Sequence, residues 1–96
     1  MENKKYKTSS GFEYEINTQN LNDMTIIDGL ITMNDATVQE HIRVVAMIRV
    51  LRGLLGEEQK DALYAHVIQK EGQAKTEAIG RELREIIESL DENKKK

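Results

Sequence analysis

Val38-Gln39-Glu40-His41-Ile42-Arg43-Val44-Val45-Ala46-Met47-Ile48-Arg49-Val50-Leu51-Arg52-Gly53-Leu54-Leu55 decides the fold, because it is apolar on too many sides for a surface helix. At about 100° per residue, Val44, Met47, Ile48, Leu51, Leu54 and Leu55 fall on one stripe roughly 120° wide. A second row, Val38, Ile42, Val45, Arg49 and Arg52, follows the alternating four-and-three spacing of a coiled-coil seam on another face. One face serves the domain's own core. The other needs either more core or a second protein. The row from Val38 to Arg52, apolar at one end and cationic at the other, suits a partner helix bearing acidic residues.

Outward from this helix, capping residues and glycines mark the other elements. Asp35 is placed to cap its start and Gly56 to end it. A first helix is expected from Asn17 or Asn20 to Met33-Asn34, with Leu21, Met24, Ile27 and Ile31 as its buried side. Gly29 lies inside it at a cost of up to ~1 kcal/mol. A third helix opens at Glu57-Glu58, where negative charge favours the dipole, and stops near Gly72. Leu63 and Val67 are its core residues, with Tyr64 and Ile68 beside them. A fourth, capped by Thr76, carries the one-sided stripe Ile79, Leu83, Ile86, Ile87 and Leu90. Glu77–Arg81 and Arg81–Glu85 are spaced as surface ion pairs. Before all of these, Tyr6 to Ile16 reads as a β-hairpin. Phe12, Tyr14 and Ile16 alternate with glutamates, and Ser9-Ser10-Gly11 supplies a bulged turn. An isolated hairpin is marginal in water, so its aromatic face should rest on helices. The fold class is therefore mainly α: a small four-helix domain over residues 1–92 with an N-terminal β-hairpin (about 5–16), followed by a basic tail, 93–96.

Ninety-six residues, 39% hydrophobic and 32% charged, fit one globular domain with a modest core. The formal net charge of −3 is uneven, with residues 57–92 carrying ten acidic against five basic side chains. An acidic C-terminal half argues against nucleic acid as a partner. No run approaches the ~20 apolar residues of a membrane span, so no membrane partner is expected. There is no cysteine, and Met1 to Lys7 has no apolar leader segment, which together favour the cytoplasm.

Catalytic chemistry finds little support. His41 and His66 lack HExxH spacing and cysteine companions, so no metal site is expected. Ser9, Ser10 and Ser89 have no histidine near in sequence, and no glycine-rich phosphate loop is present. The chain is not expected to be an enzyme or to need a cofactor. A DNA-binding regulator is a rival, since Leu55-Gly56-Glu57 suits a helix-turn-helix, but its reading helix would open on acidic residues. A structural virion or assembly subunit is another.

Three stretches carry a family likeness: Ser10-Gly11-Phe12-Glu13-Tyr14-Glu15-Ile16 with Leu21-Asn22-Asp23-Met24; Leu54-Leu55-Gly56-Glu57-Glu58-Gln59-Lys60-Asp61-Ala62-Leu63-Tyr64; and Ala78-Ile79 through Glu82-Leu83 and Ile86-Ile87 to Leu90. In these the chain resembles the small tail assembly chaperones of long-tailed, siphovirus-type phages and prophages of Gram-positive bacteria. The resemblance implies a non-catalytic protein that coats the aggregation-prone tape-measure protein in the host cytoplasm during tail assembly. It also implies self-association into a homo-oligomer. A longer form made by ribosomal frameshifting is a further implication, for which an A-rich codon run under Asn93-Lys94-Lys95-Lys96 would be the place.

Overall fold

A computed structural model describes residues 3–17 and 22–94. Its elements run β1 (Asn3–Lys7), β2 (Glu13–Asn17), α1 (Met24–Met33), α2 (Glu40–Glu71) and α3 (Thr76–Lys94). The architecture is mainly helical, with a two-stranded antiparallel hairpin in front.

There are three helices among the described residues, not the four expected. The second and third expected helices form one element, α2, interrupted at Gly56, where φ is 83° and ψ 164°. Helical geometry resumes at the very next residue, so Gly56 bends the helix instead of ending it. That junction is shorter than the three-to-four-residue turn of a helix-turn-helix. Gly72 does end α2, in the left-handed region at φ 85°, with its N–H on the Ile68 carbonyl at 2.7 Å.

The cap assignments shift by a few residues. Asp35 does not start α2; its Oδ1 accepts from the Thr37 N–H (2.9 Å) and hydroxyl (2.6 Å), closing a side-chain turn ahead of the helix. Gln39 holds the cap position without a side-chain bond. Asp23 caps α1 through the Thr25 N–H at 2.9 Å, while Asn17 ends β2 opposite Asn3, and Asn20 and Leu21 lie outside the described residues. Thr76 is the first residue of α3, and the helix continues through Asp91 to Lys94.

The buried side of α1 also differs from expectation. Met24 and Ile31 are 70% and 65% exposed, and Ile27 is only half-buried. The packed row is Ile26, Gly29, Leu30 and Met33. Gly29 is the cause. A Cβ there would lie 2.8 Å from Val50 Cγ2 and 3.4 Å from the Ala46 carbonyl oxygen. One turn away, a Cβ on Gly53 would sit 2.6 Å from Ile26 Cγ1. Each helix thus offers a glycine to a side chain of the other, and the two run antiparallel at close approach. Ala46, Val50 and Gly53 make this a third apolar face of α2, beside the two rows read from the sequence.

The core stripe of α2 is as expected at Met47, Leu51, Leu54 and Leu55, all buried, with Val44 and Ile48 at its margins. Beyond the bend Leu63 and Val67 are buried, Tyr64 packs on the core and Ile68 is 47% exposed. From α3 come Ala78, Ile79, Leu83, Ile86 and Leu90, with Ile87 at the edge. The expected Glu77–Arg81 and Arg81–Glu85 pairs are replaced. Arg81 reaches Glu71 at 3.1 Å, and Glu85 binds the hairpin tip.

That hairpin folds as its alternation predicts. Tyr6 pairs with Tyr14, the Thr8 N–H reaches the Phe12 carbonyl at 2.9 Å, and Gly11 takes φ 99° in the bulged turn. Phe12, Tyr14 and Ile16 enter the core, and Tyr6 stacks on Tyr14 with ring centroids 5.3 Å apart.

Candidate functional site

The residues read as a partner-binding row are divided by the fold. Val38 lies in the turn before α2 and is half-buried, so the seam does not extend to it. Ile42 and Val45 stand on the helix, 42% and 53% exposed. Arg49 follows one turn on, also exposed. Arg52 is exposed too, but its Nε donates to Glu57 Oε1 at 2.7 Å across the Gly56 bend. The other Glu57 oxygen meets Lys60 Nζ at 3.2 Å. Arg52, then Lys60, hold the Glu57 carboxyl below its usual range. Arg52 therefore belongs first to the bend, and the face open to a partner centres on Ile42, Val45 and Arg49.

Helical spacing explains why this face stays uncovered. α1 occupies the Ala46–Val50–Gly53 side, and the hairpin and α3 join the core on the Met47–Leu51–Leu54 side. At about 100° per residue, Ile42, Val45 and Arg49 flank α1 on the side away from the core.

The second half of α2 is used differently, through polar contacts that clamp the hairpin. The Gln59 side-chain oxygen accepts from the Glu15 N–H at 2.7 Å, while its nitrogen donates to the Glu15 carbonyl and the Leu55 carbonyl, both at 2.8 Å. One amide thus replaces the next strand along the outer edge of β2. At the tip, Glu85 accepts from the Ser9 N–H (2.8 Å) and hydroxyl (2.6 Å). Thr8 Oγ1 donates to the buried Glu82 at 2.8 Å. The Tyr14 hydroxyl, its pKa pushed up by burial, pairs with Ser89 at 3.0 Å.

His66, which the sequence separates from every serine, lies 3.0 Å from Ser10 Oγ through its Nε2. Its ring also tilts against Phe12 at 5.6 Å. The pair anchors the turn; no carboxylate is bonded to the ring to complete a nucleophilic triad among the described residues. His41 is exposed on α2. Among the described residues no group of three or more His, Asp or Glu side chains is placed to hold a metal ion. Nor is any described helix long and apolar enough to cross a membrane.

The polar clamps of Gln59 and Glu85 escaped the sequence reading. Their partners are 44 and 76 residues away, with no periodicity to betray them. No family model matches this chain, and neither do any curated protein or solved structure.

Proposed function

We propose that this chain is a phage tail assembly chaperone that binds helical segments of the tape-measure protein on the Ile42–Val45–Arg49 face of α2, without catalysis. Support comes from the resemblance in the hairpin, the bend region and α3. The observation that carries the reading is that Ile42 and Val45 remain about half exposed on a helix whose Ala46–Val50–Gly53 and Met47–Leu51–Leu54 sides are occupied.

Magnitudes add a constraint on mechanism. Fully burying an aliphatic side chain is worth about 1.5–3 kcal/mol, so covering the exposed halves of two contributes about 2 kcal/mol. Micromolar affinity needs about 8 kcal/mol. A single copy on a single client helix is thus a weak contact. Holding a long client in solution calls for several copies along it, where linked contacts multiply. Self-association of the chaperone, as the resemblance implies, would supply that linkage.

Co-expression with a tape-measure fragment tests the reading. The wild-type chain should keep the fragment soluble and co-purify with it. Ile42→Glu with Val45→Glu should lose the fragment while keeping its own helical circular dichroism and urea midpoint, its stability shifting by under about 0.5 kcal/mol as for other surface changes. Unfolding of the double variant would place the two residues in the core and remove the physical basis of the proposal. Failure of the wild type to retain the fragment would remove the function itself.

A further inference from the structure

The backbone at Gly56 is held in a conformation that almost only glycine enters, φ 83° with ψ 164°. Helical geometry nevertheless runs up to Leu55 and resumes at Glu57. A break of this kind leaves carbonyls before it and amides after it without their helical partners. Side chains stand in for them. In an unbroken helix the Leu55 carbonyl would take the Gln59 main-chain N–H; here it accepts from the Gln59 side chain at 2.8 Å. Arg52 meets Glu57 at 2.7 Å across the bend. On a straight helix these two residues would point about 140° apart and could not meet. Nothing packs on the bend itself: apart from its chain neighbours, a Cβ on Gly56 would have no atom within 4 Å.

What keeps α2 bent is therefore a few side-chain bonds and the core that its two arms share. Leu51, Leu54 and Leu55 of the first arm belong to one core with Leu63 and Val67 of the second. Straightened, the 32 residues of α2 would span about 48 Å, more than the 35 Å greatest extent of the folded chain. The arms of one copy would then part and leave their core open. Gln59 ties the hairpin to the same event, because the nitrogen on the Leu55 carbonyl also holds the Glu15 carbonyl at 2.8 Å. A second copy opened in the same way carries every surface needed to close both cores.

We propose that Gly56 is a hinge on which α2 straightens, and that two copies exchange their C-terminal arms, residues 57–94, through it. In the exchanged pair, the second arm and α3 of each copy pack on the hairpin, α1 and first arm of the other. Exchange of an identical element conserves the core, so the balance between one chain and two is set at the hinge. Helical backbone bonds regained across Gly56 stand against the Arg52–Glu57 pair and the entropy of association. The hinge does not depend on the chain being a tail chaperone. Where it is one, exchange links two Ile42–Val45 faces, each about three to four turns along α2 from Gly56.

Gly56→Ala tests the hinge, because alanine disfavours the bent backbone and favours an unbroken helix. Wild type and variant are refolded from urea at low and high concentration and measured by size exclusion with light scattering. The wild type should give some dimer at high concentration. Gly56→Ala should raise the dimer-to-monomer ratio at least about tenfold, since both copies gain the helix preference of alanine. Refolding a mixture of isotope-labelled and unlabelled chains identifies the exchange. The Phe12 and His66 rings, 5.6 Å apart, should show isotope-filtered NOEs between copies in the dimer and none in the monomer. Gly72→Ala, equally strained but at the end of α2, should lose stability without adding dimer. Ile42→Glu with Val45→Glu should leave the dimer in place, which separates it from association through the client face. If Gly56→Ala fails to fold, Arg52→Gln carries the comparison, since it removes an exposed bond made only in the bent form and should also raise the dimer share. A Gly56→Ala chain that folds less stably but stays monomeric would overturn the proposal. So would a wild type that refolds to monomer alone, a dimer without Phe12–His66 NOEs between copies, or as much dimer in Gly72→Ala.

Discussion

Beyond the core they share, the two halves of α2 hold their neighbours by different means. Before the Gly56 bend, α1 is seated through reciprocal close packing, Gly29 on Val50 and Gly53 on Ile26. Past the bend, the hairpin is held by side-chain hydrogen bonds from Gln59 and His66, with Glu82, Glu85 and Ser89 of α3 completing the clamp. Packing of the first kind is blind to pH and intolerant of volume. Bonding of the second kind tolerates volume but depends on charge and on acceptors staying in place. The difference also bears on function, because the half that relies on packing is the one that leaves Ile42 and Val45 uncovered.

The largest effect should come where the halves share a core. Leu51, on the first half, is fully buried in the core cluster that also holds Leu63 and Val67 of the second, and Leu51→Ala should cost ~2–5 kcal/mol. Urea denaturation should show both halves unfolding in one transition at a lower midpoint. If α1 alone detached, the halves would be independent units. Next comes Gly53→Ala. The added methyl would meet Ile26 Cγ1 at 2.6 Å, and overpacking of this kind costs ~1–3 kcal/mol against a helix-propensity gain of up to ~1. A net loss of about 1–2 kcal/mol is expected, with faster amide exchange confined to α1. A stabilised Gly53→Ala protein would show that close approach is not what seats α1. Gln59→Leu is the counterpart beyond the bend. It removes three hydrogen bonds but leaves the Glu15 groups at a half-exposed edge that water can reach, so the loss should be about 1 kcal/mol. Exchange should quicken at Glu15 and leave α1 unchanged.

How far this was legible follows the same division. The core stripes of α2 and α3 and the alternation of β2 repeat at fixed periods, and Leu51, Leu83, Ile86, Tyr14 and Ile16 were readable from spacing alone. Two features were not. Period alone treats a glycine as a penalty and puts the face of α1 through Met24 and Ile31, whereas Gly29 makes the opposite row the close-packed one. The bend at Gly56 looks like a helix end in sequence, since a terminating and a bending glycine share the same positive φ. As for the candidate face, Ile42 and Val45 stood out as apolar residues beyond what one stripe needs. Only the placement of Ala46 and Val50 under α1 explains why the remaining surplus stays exposed.

The smallest effect isolates the charge-dependent clamp. Glu85 accepts from the Ser9 hydroxyl and from the Ser9 N–H, and these bonds lower its carboxyl pKa below the ordinary value of 4.5. A lowered folded-state pKa means that the ionised form is favoured by folding. The stabilisation is therefore complete above the ordinary carboxyl value and is lost as pH falls through the lowered one. Asp23, Asp35 and Glu57 are lowered too, all outside the hairpin, so acid unfolding of the whole chain would blend the four. The Ser9 amide signal separates them, because it reports the protonation of the one carboxylate it touches. Its NMR titration should have a midpoint below 4.5. Glu85→Gln keeps an oxygen for the Ser9 N–H but removes the charge. The variant should be slightly less stable than wild type near neutrality, and the gap should close as the solution is acidified. A Ser9 midpoint at or above the ordinary value, or a gap that does not change with pH, would mean that the Glu85 charge does not hold the tip, leaving it to the Thr8–Glu82 and Ser10–His66 bonds and the stacked rings. The contrast between the halves of α2 would then rest on the Gln59 and His66 bonds alone.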